Sequence, residues 1–202
     1  SSVERFSSIS LGIFFGLAGV GHAEKASLAD ISAHLNSLRS IQATFVQIAA
    51  DGSSAQGQFF MKRPGRLRFE YQIPSEVLVL VSAGQMAIFD PKGDGEPTSF
   101  TTSGTPLSLI LQDRIDLQKS ALITDHRYDG KRTSLSLQHP QHPERGEITL
   151  VLRHNPYELA QWIIETPEGD QTLLALEDLQ KGVSLKASMF NILLNIEKRK
   201  LR

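Results

Sequence analysis

The sequence contains no cysteine. That absence excludes a disulfide framework, a thiolate metal site and a cysteine nucleophile, and it leaves no thiol to carry a lipid. An excess of charge of either sign is also missing: 21 Lys and Arg stand against 22 Asp and Glu, a formal net charge of −1. Such a balance gives no long-range field to gather nucleic acid or an anionic membrane, and nucleic acid is not expected as a partner. There is no internal repeat, heptad run or low-complexity tract. What is present is ordinary: 202 residues, 40% hydrophobic and 21% charged. That composition supports one packed domain rather than disorder.

The N-terminus reads as an address. Ile9 to Val20 is an apolar run of about a dozen residues behind Arg5, with Glu4 as a dissenting charge. Gly21, His22 and Ala23 then place small residues at the −3 and −1 positions of a cut before Glu24. A bilayer span needs about 20 apolar residues, so the run is short for one. Residues 1–23 are therefore expected to be a cleaved signal peptide, and residues 24–202 one secreted β domain; a buried core helix is the alternative for the run.

After this segment, Ser27 and Asp30 suggest a capping box, and Leu28, Ile31, Leu35 and Leu38 follow at helical spacing. One amphipathic helix should end near Ser40. The period then changes to two. Leu67, Phe69, Tyr71 and Ile73 alternate with Arg66, Arg68, Glu70 and Gln72, the pattern of a strand with one apolar face. Val77–Val81 is a continuously apolar strand, and the Ser82–Gln85 turn leads into another at Met86–Phe89. Asp90 to Gly104 is a long irregular stretch. Thr105 and Pro106 then open a short helix whose apolar face carries Leu107, Ile110 and Leu111. Strands resume at Ala121–Tyr128 and Thr133–Gln138, joined at Asp129-Gly130, a strong hairpin signal. Further strands are expected at Glu147–Leu152, Leu159–Glu165 and Gln171–Leu179. Some nine or ten strands and two short helices imply a mainly β fold: a strongly curved antiparallel sheet with helices over one opening.

Chemistry-bearing constellations are few. Of the six histidines, only His139 and His142 are close enough to share a metal, and a proline-rich loop without a third ligand favours solvated side chains. No G-x-S-x-G elbow occurs. Gly130-Lys131 lacks both the leading glycine and the following hydroxyl of a phosphate loop. No catalytic residue, metal or cofactor is expected, and the chain does not read as an enzyme. Lys62, Arg63, Arg66 and Arg68 form the one basic cluster. Strand alternation sets Arg66 and Arg68 opposite Phe69 and Tyr71, so they are expected on a solvated outer face. Arg63 differs. Counting back by twos from it gives Met61 and Phe59, so a guanidinium ends an apolar face, where it would be costly to bury without partners.

Gly57 to Tyr71, with its Lys62-Arg63-Pro64 core and Pro74 beyond, resembles the corresponding segment of the periplasmic outer-membrane lipoprotein carriers, the LolA family. Other features agree in order: Ala43 to Gln47, the Gly84 turn, Phe89-Asp90-Pro91, Thr105-Pro106-Leu107, Trp162 before a glycine turn, and a helix-free stretch at Leu185 to Phe190. The resemblance runs over roughly residues 25 to 190. It implies an unclosed antiparallel barrel with a helical lid around an apolar cavity. It further implies a periplasmic shuttle that takes lipoproteins from an inner-membrane ABC exporter, shields their acyl chains, and hands them to an outer-membrane receptor or to the outer membrane directly. The family arginine that holds the lid closed falls on Arg63. Phe59, Met61, Leu67, Phe69 and Tyr71 would line the cavity, with Leu107, Ile110 and Leu111 on the lid. Asn191 to Asn195 and the basic stretch from Lys198 to Arg202 depart from the family pattern.

From the residues alone, apolar faces closing into a solid core are the favoured reading over a lined cavity. Two other functions stay open: a periplasmic sensor or regulator of the same fold that recognises lipidated or misfolded envelope proteins, and a lipid-processing enzyme. A monomer is expected.

Overall fold

A computed structural model describes residues 24–202, so the apolar N-terminal run lies outside the described residues. The chain enters helix α1 (Leu28–Ser37), then runs through strands β1 (Ser40–Ile48), β2 (Ser54–Lys62), β3 (Arg66–Tyr71), β4 (Leu78–Ser82), β5 (Gln85–Phe89) and β6 (Thr98–Thr101). Two short helices, α2 (Pro106–Ile110) and α3 (Leu117–Ser120), interrupt the strands. The chain resumes with β7 (Leu122–Tyr128), β8 (Arg132–Gln138), β9 (Glu147–Arg153), β10 (Glu158–Glu165) and β11 (Gln171–Lys181), and finishes in a 3₁₀ turn (Ala187–Phe190) and helix α4 (Ile192–Lys200).

All eleven strands belong to one antiparallel sheet, in the order β6-β5-β4-β3-β2-β1-β11-β10-β9-β8-β7. Each hairpin lies beside the next, and β11 returns to pair with β1, joining two meanders. β6 and β7 stand at opposite edges and do not pair, so the sheet is curved but not closed. The fold is mainly β, with few helices, as the periodicity implied.

Alternation decides which side chains meet. Phe59 lies opposite Phe69 and Met61 opposite Leu67 across β2 and β3, while Phe60 lies opposite Arg68 on the other face. The inner face carries the main core, which draws on β1, β2, β3, β4, β8, β9, β10 and β11 and on helices α1, α2 and α3. Its aromatic centre is a chain of edge-on contacts: Phe45 with Phe69 and Tyr71, and Phe59 with Trp162. Gly57 is needed where β2 passes β3, because a Cβ there would sit 1.9 Å from the Glu70 carbonyl oxygen.

Several local expectations are corrected. The first helix stops at Ser37, and Leu38 caps it by returning its N–H to the Leu35 carbonyl. Ile73 is not part of β3; it is exposed in the turn that Pro74 imposes. The irregular stretch after Asp90 contains β6, a four-residue edge strand exposed throughout. The largest difference is at the C-terminal end. Leu185 to Phe190 is not helix-free, and a nine-residue helix follows, capped by Asn191, whose side chain accepts from the Leu194 N–H. This segment lies on the outer face of β3–β5, so Arg68 is not solvated: its side chain is 17% exposed and ion-paired with Glu70 at 2.7 Å.

Candidate functional site

Arg63 follows the last residue of β2, and the alternation of that strand turns it inward with Phe59 and Met61. It is only 5% exposed. Its guanidinium donates four hydrogen bonds, all to backbone carbonyls. Nε reaches Leu38 at 2.9 Å and Nη2 reaches Leu35 at 3.1 Å, both at the end of α1. Nη1 reaches Ile110 at 2.5 Å and Gln112 at 2.8 Å, at the end of α2. These carbonyls lie at or just beyond helix C-termini, where backbone partners run out and partial negative charge collects; the Leu35 carbonyl also accepts from the Leu38 N–H. A planar fork of donors suits two such ends at once, where a lysine would supply a point charge. Burial, and next the positive Arg39, push the Arg63 guanidinium down to about 10, with Asp113 pulling the other way. The arginine stays charged at neutral pH, but the closed arrangement carries a desolvation cost.

Further polar contacts sew the helices together. Asn36 on α1 brackets Ile115, donating to its carbonyl at 2.8 Å and accepting from its N–H at 2.7 Å. Ser32 accepts from the Leu117 N–H at 3.0 Å, and Arg39 pairs with Asp113 at the surface. The Gly65 N–H after Arg63 donates to the Leu111 carbonyl at 2.8 Å. Thus α1, α2 and α3 form one cap, stitched together and to the β2–β3 turn by hydrogen bonds.

The residues expected to line the cavity and lid are brought together here. Phe59, Met61, Leu67, Phe69, Leu107, Ile110 and Leu111 are buried members of one apolar cluster, and Tyr71 packs against it half-buried, its hydroxyl donating to Gln47. Burial raises the Tyr71 phenol above its ordinary range. The interior between sheet and cap is filled by these side chains, and the outer-face pockets beside α4 are lined by other residues. Among the described residues no group of three His, Asp or Glu is placed to hold a metal.

Sequence reasoning missed three participants. Leu109 is 1% exposed beside Leu107 and Ile110. Asn36 and His34 are polar residues of α1 that fasten it to its surroundings; His34 Nε2 accepts from the Leu159 N–H of β10 at 2.9 Å. His34 stands three residues after Ile31 and four before Leu38, so its place on the apolar face was readable from spacing.

Residues 36–193 match the family described as outer membrane lipoprotein carrier protein LolA. The chain belongs to the LolA family. An outer-membrane lipoprotein carrier protein from Coxiella burnetii is 29% identical over 123 residues, a match covering 56% of this chain and 58% of that relative. One from Chromohalobacter salexigens is 22% identical over 91% of this chain and 90% of its own length. A solved DUF1329 family protein from Desulfovibrio piger shares the fold, with a TM-score of 0.52 and 13% identity over 82% of this chain and 95% of its own. The LolA match ends within α4, at the segment that departs from the family pattern.

Proposed function

We propose that this chain is a periplasmic lipoprotein carrier that receives lipoproteins from an inner-membrane ABC exporter, holds their acyl chains inside the curved sheet, and delivers them to an outer-membrane receptor or to the outer membrane itself. The observation that carries the reading is Arg63, which bonds the ends of two cap helices above an apolar interior. Each acyl CH₂ removed from water is worth about 0.8 kcal/mol, so an open interior would bind a lipid very tightly. A cap that must be unfastened first subtracts its own closure energy from that affinity, which makes release feasible. The carrier performs no covalent chemistry in this reading; its work is a competition between cap and cargo for the same apolar faces.

Arg63→Leu tests this. The closed state loses four bonds and the interior gains an apolar side chain, so the variant should load lipoprotein but transfer it poorly. Hydrogen bonds from a charged donor are worth about 1.5–3 kcal/mol each, so a net loss equal to just one of them moves the cap equilibrium by about one to two orders of magnitude. Arg63→Lys should be intermediate. Wild-type loading and transfer rates in Arg63→Leu would remove the latch role. Residues 1–23 serve, in the same reading, as a cleaved export signal. Protein extracted from the envelope should begin at Glu24, and sequencing that finds Ser1 would refute it.

A further inference from the structure

The near-neutral total charge conceals a local imbalance on the outer face. Asn195, Lys198, Arg199 and Arg202 recur at three- and four-residue spacing, so they share one side of α4 and its continuation. That side walls a pocket of about 370 Å³, whose opposite wall includes Arg68 and Glu70 on β3 and Glu76 in the turn before β4. Arg68 is already engaged: besides Glu70, it donates to the Met189 carbonyl at 2.7 Å. Lys198, Arg199 and Arg202 have no carboxylate within ion-pair distance among the described residues, whereas neighbouring Lys200 pairs with Glu96 at 2.6 Å. Arg199 is held in place by the Phe89 ring, 5.0 Å below its guanidinium. Burial, followed by the like charges of Arg202 and Arg68, lowers the affinity of Arg199 for its proton. Some basic character is expected at any helix C-terminus. That does not account for three cations, none in an ion pair among the described residues, lining one concave space opposite the Arg68–Glu70 pair.

We propose that this pocket binds a phosphate group, held by Arg199 and Arg202 with Lys198 at its mouth. Arginine forks match tetrahedral phosphate oxygens in bidentate geometry, and a fixed guanidinium loses little freedom on binding. The same chemistry is supplied by free phosphate and by the headgroup of an anionic phospholipid. In the second case α4 meets a membrane beside Leu201, a leucine 89% exposed one residue from Arg202. The site lies outside the apolar interior and stands independently of the carrier reading.

Full-length processed protein is titrated with orthophosphate at constant ionic strength, and in parallel with vesicles of phosphatidylglycerol mixed into phosphatidylcholine or of phosphatidylcholine alone. Arg199→Gln/Arg202→Gln should weaken binding about tenfold or more, the loss expected for a charge-assisted bond. Lys198→Gln/Arg202→Gln keeps Arg199 on Phe89 and gives a second reading if the first variant does not fold. Lys131→Gln/Arg132→Gln removes the same charge at a distant hairpin and should bind as wild type. Saturable orthophosphate binding identifies the soluble group as sufficient. Binding to phosphatidylglycerol vesicles alone, lost in the α4 variants, identifies the headgroup. No binding in either arm, or an equal loss in the hairpin control, overturns the proposal.

Discussion

The two faces of the sheet are covered in different ways. Inside, α1, α2 and α3 lie over a continuous core of buried side chains drawn from most of the strands. Outside, the 3₁₀ turn and α4 rest on two small clusters, Leu78, Leu80, Ala87 and Phe89 in one, Phe60, Leu185 and Phe190 in the other. Both covers are fastened by an arginine reaching backbone carbonyls, Arg63 within and Arg68 without. The settings differ. Arg68 has a carboxylate beside it and keeps some solvent; Arg63 is more deeply buried and relies on helix-end carbonyls. An ion pair near solvent is a modest, durable fastening. A buried guanidinium without an acid is costly when its partners leave, and in the proposed carrier that cost would set its cover between two positions.

If the inner face is the energetic centre, Phe59→Ala should have the largest effect, about 3–5 kcal/mol in denaturant unfolding. Ile196→Ala, on the half-buried side of α4 against the outer cluster, should cost about 1 kcal/mol. Equal losses would mean that the outer cover is as integral as the core. The smallest effect concerns pH. Burial, and next Lys181, hold the His34 imidazole below its usual 6.5, with Glu158 opposing. The folded chain keeps it neutral as an acceptor for Leu159. As pH falls below about 6.5 the unfolded chain gains a proton that the folded chain resists, so stability should decline toward the lowered folded value and be flat above. His34→Gln should remove that part of the decline in thermal melts. A persistent decline of the same size would assign the acid sensitivity to other groups.

The inner face was largely legible in the sequence, and the outer cover was not. Period-two alternation fixes which side chains share a face, so Phe59, Met61, Leu67 and Phe69 group together on spacing, and Arg63 stands out as the exception at their end. The role implied for Arg63 came from family resemblance; spacing alone showed only that it needed partners. β6 escaped because all four residues are exposed and no face is apolar. The C-terminal helix escaped for a related reason. Ile192 and Ile196 supply its only anchoring stripe, and the basic residues beyond resemble a solvated tail. Arg68 was misjudged because alternation tells which face a residue occupies, not whether a segment 121 residues away comes to cover it.

The missing pairing between β6 and β7 also has a mechanical meaning. In a closed barrel, strand number and stagger set the circumference, so the lumen cannot widen without breaking a ladder. Here the ring is cut. A change of curvature would therefore not require breaking a ladder, in the way a split collar takes shafts of different diameter. In the proposed carrier, cargo of variable bulk would then cost bending and cap contacts, not backbone pairing.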